Sequence, residues 1–308
     1  MNLPLSENII NQIDSCYSPK TPIKNSVQYR FYCRYLYQKA ISVFKWKIPE
    51  TWDKNFFQLC LYSLGFVTVF NTAKFGTIFQ PCTIGGRNVF YMPAYVMLAN
   101  PLLPELSGKQ LEIGTDCTII KMTPDYFGIL DLVGFYAEKM ALASQGIDVN
   151  LINSKLAYVF SAKNPTQAKS FNKMFDRITD GEPAVVIDKG LFNDDGTAQW
   201  QLFTQNLKQT YIADSMIIDL RKIEDEFNTR VGIPNANTDK RERLITDEVN
   251  ANNVETETLP ELWLDNIRLG IEQTVEMFPE LKYKLSVDWR EKPNAISQSR
   301  NNIDNRPV

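Results

Sequence analysis

Within "VGIPNANTDKRERLITDEVNANNVETE", residues 231–257, three cations stand almost together: Lys240, Arg241 and Arg243. Asn235 and Asn237 precede them, and Asn250, Asn252 and Asn253 follow. Ammonium and guanidinium groups pair with phosphate oxygens, and Asn amides donate to the same oxygens without adding charge. The stretch also carries Asp239, Glu242, Asp247 and Glu248. Two readings stand. "TDKRERLITDE" reads as a solvated helical turn laced with ion pairs, or as a phosphate-facing loop whose flanking acids keep its hold weak.

Other chemistries fall away on composition. The chain has 308 residues and no histidine, which removes the commonest general base, the commonest metal ligand and every Ser-His or Cys-His system. Its five cysteines, Cys16, Cys33, Cys60, Cys82 and Cys117, are scattered, with no CxxC pair. That speaks against a disulfide framework or zinc ribbon and fits a reducing cytoplasm. No GxxxxGK[ST], GxGxxG or GxSxG occurs. Two-metal nucleases do work with carboxylates alone. The acidic runs here, Asp194/Asp195, Glu224/Asp225/Glu226 and Asp247/Glu248, sit on apparent turns and helix faces and read as solvated charge. The expectation is no enzyme, no cofactor and no metal. A net charge of −3 excludes chain-wide attraction to nucleic acid and leaves only local patches. The N-terminus lacks a basic segment followed by an apolar run, and no stretch of about 18 apolar residues occurs. Neither a signal peptide nor a membrane span is expected.

The elements that must carry the basic group are α+β. "NSVQYRFYCRYLYQKAISVFKW", Asn25 to Trp46, repeats apolar residues every three to four positions and predicts a helix. A shorter helix is expected between Pro49 and Gly65. Phe66 to Met122 is rich in Val, Thr, Phe and Tyr, with turn signals between, and reads as short strands. Asp125 to Gly146 is apolar on two faces and predicts a helix covered on most sides. "LAYVFSA", "NPTQAKSFNKMFDRI" and "PAVVID" read as strand, helix and strand, with Pro165 at the helix start. Further helices are expected at Leu207–Thr229 and Pro260–Met277, then one strand in "LKYKLSVDW". The five Trp residues, Trp46, Trp52, Trp200, Trp263 and Trp289, read as packing anchors.

One segment resembles a known family. "VGIPNANTDKRERLITDEVNANN" is similar to the channel-loop segment of the portal proteins of small short-tailed phages. These are upper collar or head–tail connector proteins, of the type found in small podoviruses of Bacillus. The family pattern G-I-x-N-A-N-x-x-K-[KR]-E-R-x-x-T-D-E-V is met by Gly232, Ile233, Asn235, Ala236, Asn237, Lys240, Arg241, Glu242, Arg243, Thr246, Asp247, Glu248 and Val249. The resemblance extends more weakly over residues 24–290.

It implies a subunit of a ring, usually of twelve copies, at one capsid vertex. Tilted stem helices line a channel through which double-stranded DNA is packaged, retained and ejected. It also implies a division of the chain: an N-terminal arm at 1–23, a first stem helix and wing helix at 24–65, and a β-rich wing at 66–124. A second stem helix at 125–148, a strand–helix–strand clip at 149–204 and a third stem helix at 205–230 follow. The channel loop is 231–257, a wing helix and strand occupy 258–290, and a disordered tail ends the chain at 291–308. Implied partners are the major capsid and scaffold proteins, a separate packaging ATPase, lower collar and tail proteins, and a packaging RNA. Implied DNA contacts are Asn235, Asn237, Lys240, Arg241, Arg243 and Lys208. Lys20, Lys24, Arg30 and Arg34 are the candidates for RNA or motor contact. The implied location is the virion, after assembly in the host cytoplasm. The chain departs from the family at Pro234, where some relatives carry lysine, and in residues 1–19, which hold no Lys or Arg. Two other classes stay open at this point: a tail adaptor ring without a DNA-retaining role, and a metal-dependent DNA-processing enzyme.

Overall fold

The computed structural model describes residues 5–19, 23, 26–104, 106, 108–155, 158–161, 165–179, 201–204, 212–234 and 246–290. The chain divides into two units, Met1–Leu142 with Arg221–Val308, and Ala143–Leu220; the division falls inside two helices.

The first unit begins with α1 (Leu5–Cys16), where an arm was expected. The arm reading allowed a short helical piece, and Ile9 and Ile13 of this one, four residues apart, are both buried. Helix α2 (Val27–Ile41) follows, capped by Ser26, whose hydroxyl accepts from the Tyr29 N–H. It buries Tyr29, Cys33, Leu36, Tyr37 and Ala40, a three-to-four-residue stripe. It stops five residues short of the expected end because "FKWK" is strand β1 (Phe44–Lys47), alternating buried Phe44 and Trp46 with exposed Lys45 and Lys47. Helix α3 (Lys54–Leu64) starts at an Asp53 cap, not at Pro49, and ends on Gly65 at φ 90. Gly65 lies against the Phe127 backbone, where a Cβ would collide.

Three strands form one antiparallel sheet in the order β3 (Gly76–Gln80), β2 (Phe66–Thr72), β7 (Cys117–Lys121). A second holds β4 (Thr83–Gly85), β5 (Tyr95–Met97) and β6 (Gln110–Glu112), with Gly85 opposite Tyr95 and Thr83 opposite Met97. Phe70, Ile119 and Cys117 of the first sheet share a buried cluster with Val96, Leu98 and Leu103 from β5 and the chain after it. Helix α4 (Leu130–Lys155) starts five residues later than expected, after a turn in which Thr123 Oγ1 accepts from the Phe127 N–H at 3.1 Å. Helix α6 (Ala213–Val231) meets α4 where Phe227 sets its ring edge-to-face on Tyr136, centroids 5.6 Å apart. Helix α7 (Thr246–Met277) crosses β7 closely. At Gly270 a Cβ would stand 2.9 Å from the Ile119 carbonyl oxygen, and a buried hydroxyl pair, Thr118 and Thr274, closes the contact at 2.8 Å. Strand β10 (Ser286–Trp289) returns to pair with β1.

The second unit holds the end of α4, the antiparallel pair β8 (Tyr158–Ser161) and β9 (Gln201–Thr204), α5 (Pro165–Thr179), and the start of α6. Asn150 Oδ1 accepts from the Ile212 N–H at 3.2 Å, which fixes the entry to α6. The expected strand "PAVVID" and Trp200 lie outside the described residues.

Candidate nucleic-acid interface

The family resemblance implied a loop over residues 231–257, while the residues alone also allowed a helical turn in "TDKRERLITDE". The structure instead starts α7 at Thr246, fourteen residues before Pro260, the expected start. Proline at a first helical position is favourable, which made it a reasonable start signal. Here it stands inside the helix, where it lacks the N–H that would bond the Thr256 carbonyl. The described part of the segment has a firm base. α6 ends at buried Val231, Gly232 takes φ 83, and the Ile233 N–H donates to the Asn228 carbonyl at 2.8 Å. A Cβ on Gly232 would lie 2.7 Å from Pro260 Cγ and 3.1 Å from the Trp289 ring. So the glycine that reverses the chain is also the one that lets the end of α6 close on α7. From that contact, residues 246–259 of α7 rise about 21 Å at 1.5 Å per residue.

Asn235, Asn237, Lys240, Arg241, Arg243, Lys208, Lys20 and Lys24 lie outside the described residues. Arg30 and Arg34 are described. Both are exposed and sit one turn apart on α2, so their side chains leave the helix on one face. Arg34 also lines a cavity of about 370 Å³ with Ile9, Tyr37 and Gln58.

Lys39, from the same helix, turns inward instead. Its ammonium pairs with Glu224 of α6, and the Tyr35 hydroxyl donates to the same carboxylate oxygen at 2.6 Å. Burial pushes the Glu224 pKa up, but the hydrogen bonds from Lys39 and Tyr35 and the Lys39 charge outweigh it and hold it below its ordinary value. This acid, part of a run that could have suggested a metal site, is therefore committed to joining two helices. The sequence carried no signal for a pair 185 residues apart. Another acid, the buried Glu138 of α4, accepts from the Tyr17 hydroxyl at 2.5 Å; burial, then that bond, push the Tyr17 pKa up to about 12.

Among the described residues no group of three or more acidic or Cys side chains is placed to hold a metal. All five cysteines are free, and burial pushes the Cys33, Cys60 and Cys82 thiols up to about 12, far from a reactive thiolate. Trp46, Trp52 and Trp263 are buried, and Trp289 packs edge-on against Phe44. No described helix is long and apolar enough to cross a membrane.

The family model described as Phage Connector (GP10) matches residues 9–292. The chain belongs to that family. The connector is a structural component, and its function is that of a phage portal or connector, working as an oligomeric ring associated with capsid and tail at the virion vertex. A solved structure of the portal and tail of native bacteriophage P68 is similar over 99% of this connector and 99% of that chain, at 15% identity and a TM-score of 0.43.

Proposed function

We propose that the connector forms a ring of about twelve copies whose helices line a channel for double-stranded DNA during packaging, retention and ejection. The observation that carries this reading is the uncovered side of α4. Phe135 and Leu142, seven residues apart on the part of α4 within the first unit, are 40% and 43% exposed in the single chain. Apolar residues at a seven-residue repeat form a seam that asks for another helix. A neighbouring copy supplies one in a ring.

In this reading the eleven residues 235–245 sit between the end of α6 and the helical arm 246–259, and reach toward the channel axis. Lys240, Arg241 and Arg243 contact phosphates, helped by Asn235 and Asn237, while flanking acids keep each contact weak. Lys208 adds a contact from the wall. DNA can then slide, because affinity grows with the number of phosphates neutralised and each subunit neutralises few. Arg30 and Arg34 are exposed on one face of α2 and serve a packaging RNA or the packaging ATPase, with Lys20 and Lys24 extending that patch. Capsid, scaffold and lower collar proteins complete the vertex.

End-on electron micrographs of the purified protein test the assembly: rings with a duplex-wide hole are expected, and dispersed monomers even with scaffold and capsid protein would overturn it. The loop assignment is tested separately with the Lys240→Ala/Arg241→Ala variant. Rings should form as before while retained DNA falls. The salt slope of DNA binding should drop by about 1.8 for each subunit engaged. Loss of rings in that variant would refute the loop assignment.

A further inference from the structure

The hairpin between β4 and β5 carries three consecutive apolar residues at its tip: Val89, Phe90 and Tyr91, exposed by 85%, 79% and 78%. A turn normally holds residues that like water. This one is built to hold its apolar residues still. Asn88 Oδ1 accepts from the Phe90 and Met92 N–H groups at 2.9 and 3.1 Å. The Asn88 N–H donates to the Met92 carbonyl, and its own carbonyl accepts from the Tyr91 N–H. Tyr91 is held at φ 61, a conformation that costs an aromatic residue energy and persists only where its surroundings impose it. The Tyr95 ring props the base from beneath: a Cβ on Gly85 or Gly86 would lie 2.8 or 2.6 Å from it. The result is a fixed apolar knob.

The same unit carries a matching hollow. Trp52, Phe56, Phe75, Phe79 and Leu102 line an open cavity of about 540 Å³ with Asp53 at its edge. Leu102 is 78% exposed and Phe75 46%. The volume is within the ~300–1,000 Å³ of sites that accept a compact organic group, so an aromatic side chain fits. Charge also matches: Arg87 stands beside the knob, 5.8 Å from the Tyr91 ring, and among the described residues Asp53 is the one ionisable residue lining the hollow. The two features leave β5 at opposite ends. The knob joins at Tyr95, the strand's start, and Asn100 to Leu103 follow its end at Met97.

We infer that the knob of one connector subunit seats in the hollow of the next, with Phe90 and Tyr91 on the Trp52–Phe56–Phe79 floor and Arg87 facing Asp53. Two different, complementary surfaces on one chain make a head-to-tail contact, and repetition of such a contact closes a ring when the rotation per subunit allows. The inference rests on the ring reading above and adds the contact that propagates it.

The test uses the full chain in a Cys16→Ser background. Phe90→Cys combined with Leu102→Cys, treated with a short thiol crosslinker, should give a ladder of covalent multiples on a denaturing gel, while either cysteine alone gives none. In parallel, Phe90→Asp and Leu102→Asp should each raise the protein concentration needed for assembly at least tenfold. Both sites are exposed, so the subunit itself keeps its circular dichroism spectrum. Mixed in equal amounts, the two Asp variants should form heterodimers, since one intact knob and one intact hollow remain. Rings that form normally in both Asp variants, with no ladder from the double cysteine, refute the contact and leave the ring reading standing. Normal rings that no longer bind capsid protein would assign the knob to the shell and likewise refute it. A parent protein that never oligomerises removes the ring reading, and this contact with it.

Discussion

Two aromatic groups of the same unit meet opposite fates. Trp46, Trp52, Phe57 and Phe79 bring their rings together, with Phe57 fully buried and 5.1–5.7 Å from the other three centroids. Phe90 and Tyr91 stand in solvent on the hairpin tip. The side chains are alike; the backbone beneath them differs. In the first group, Trp46, Phe57 and Phe79 project from strands and a helix whose hydrogen bonds are satisfied by regular pairing, and Trp52 from the bend just before that helix, so the rings are free to turn inward. The second projects from a turn whose bonds are satisfied locally by Asn88, which fixes the rings outward. Apolar content therefore says how much surface must be covered, and local hydrogen bonding says whether the same chain covers it.

Four substitutions sharpen that contrast. Phe57→Ala should have the largest effect, about 3–5 kcal/mol lost in denaturant unfolding, because the cavity opens among three other rings. A loss below 1 kcal/mol would mean the cluster is loosely packed. Gly232→Ala comes next, at about 1–2 kcal/mol in thermal unfolding, because it places a Cβ at φ 83 against Pro260.

Glu224→Gln should cost about 1 kcal/mol at neutral pH. It also changes the acid limb. The folded pKa of Glu224 lies below the ordinary 4.5, so its contribution is complete above that value and is lost as pH falls through the lower folded value. Urea midpoints measured between pH 6 and 2 should fall less steeply in the variant; parallel curves would show that the Lys39–Tyr35–Glu224 contact is not formed. Phe90→Ala should be smallest, within about 0.5 kcal/mol for the isolated subunit. A larger loss would show that the knob packs within its own chain, and the contrast would vanish.

Much of this architecture was readable in advance, and the misses have physical causes. The short strands between Phe66 and Lys121 follow their Val, Thr and Phe content, and Gly65 ended its helix as expected. Strand β1 was hidden because four residues of alternation at the end of a helical pattern are too few to override it. The start of α7 was misplaced because Pro260 marks a helix start far more often than an interior. The basic residues Lys240, Arg241 and Arg243 were singled out by residue type and spacing alone, and they lie outside the described residues. The hairpin tip was not legible, because three apolar residues after a turn signal look like the start of a strand until Asn88 is seen to bind the backbone of Phe90, Tyr91 and Met92.

Pro260 has a mechanical consequence. It removes one rung from the α7 ladder at the point where Gly232 clamps the helix, and the part beyond it is locked to β7 through Gly270 and Thr274. Tension applied at residue 245 thus meets two materials in series. Unwinding residues 246–259 from 1.5 to about 3.3 Å per residue pays out about 25 Å of tether, after which the pull reaches a helix bolted to a sheet. A strand dragging on the loop would extend a short leash before it loaded the body of the subunit.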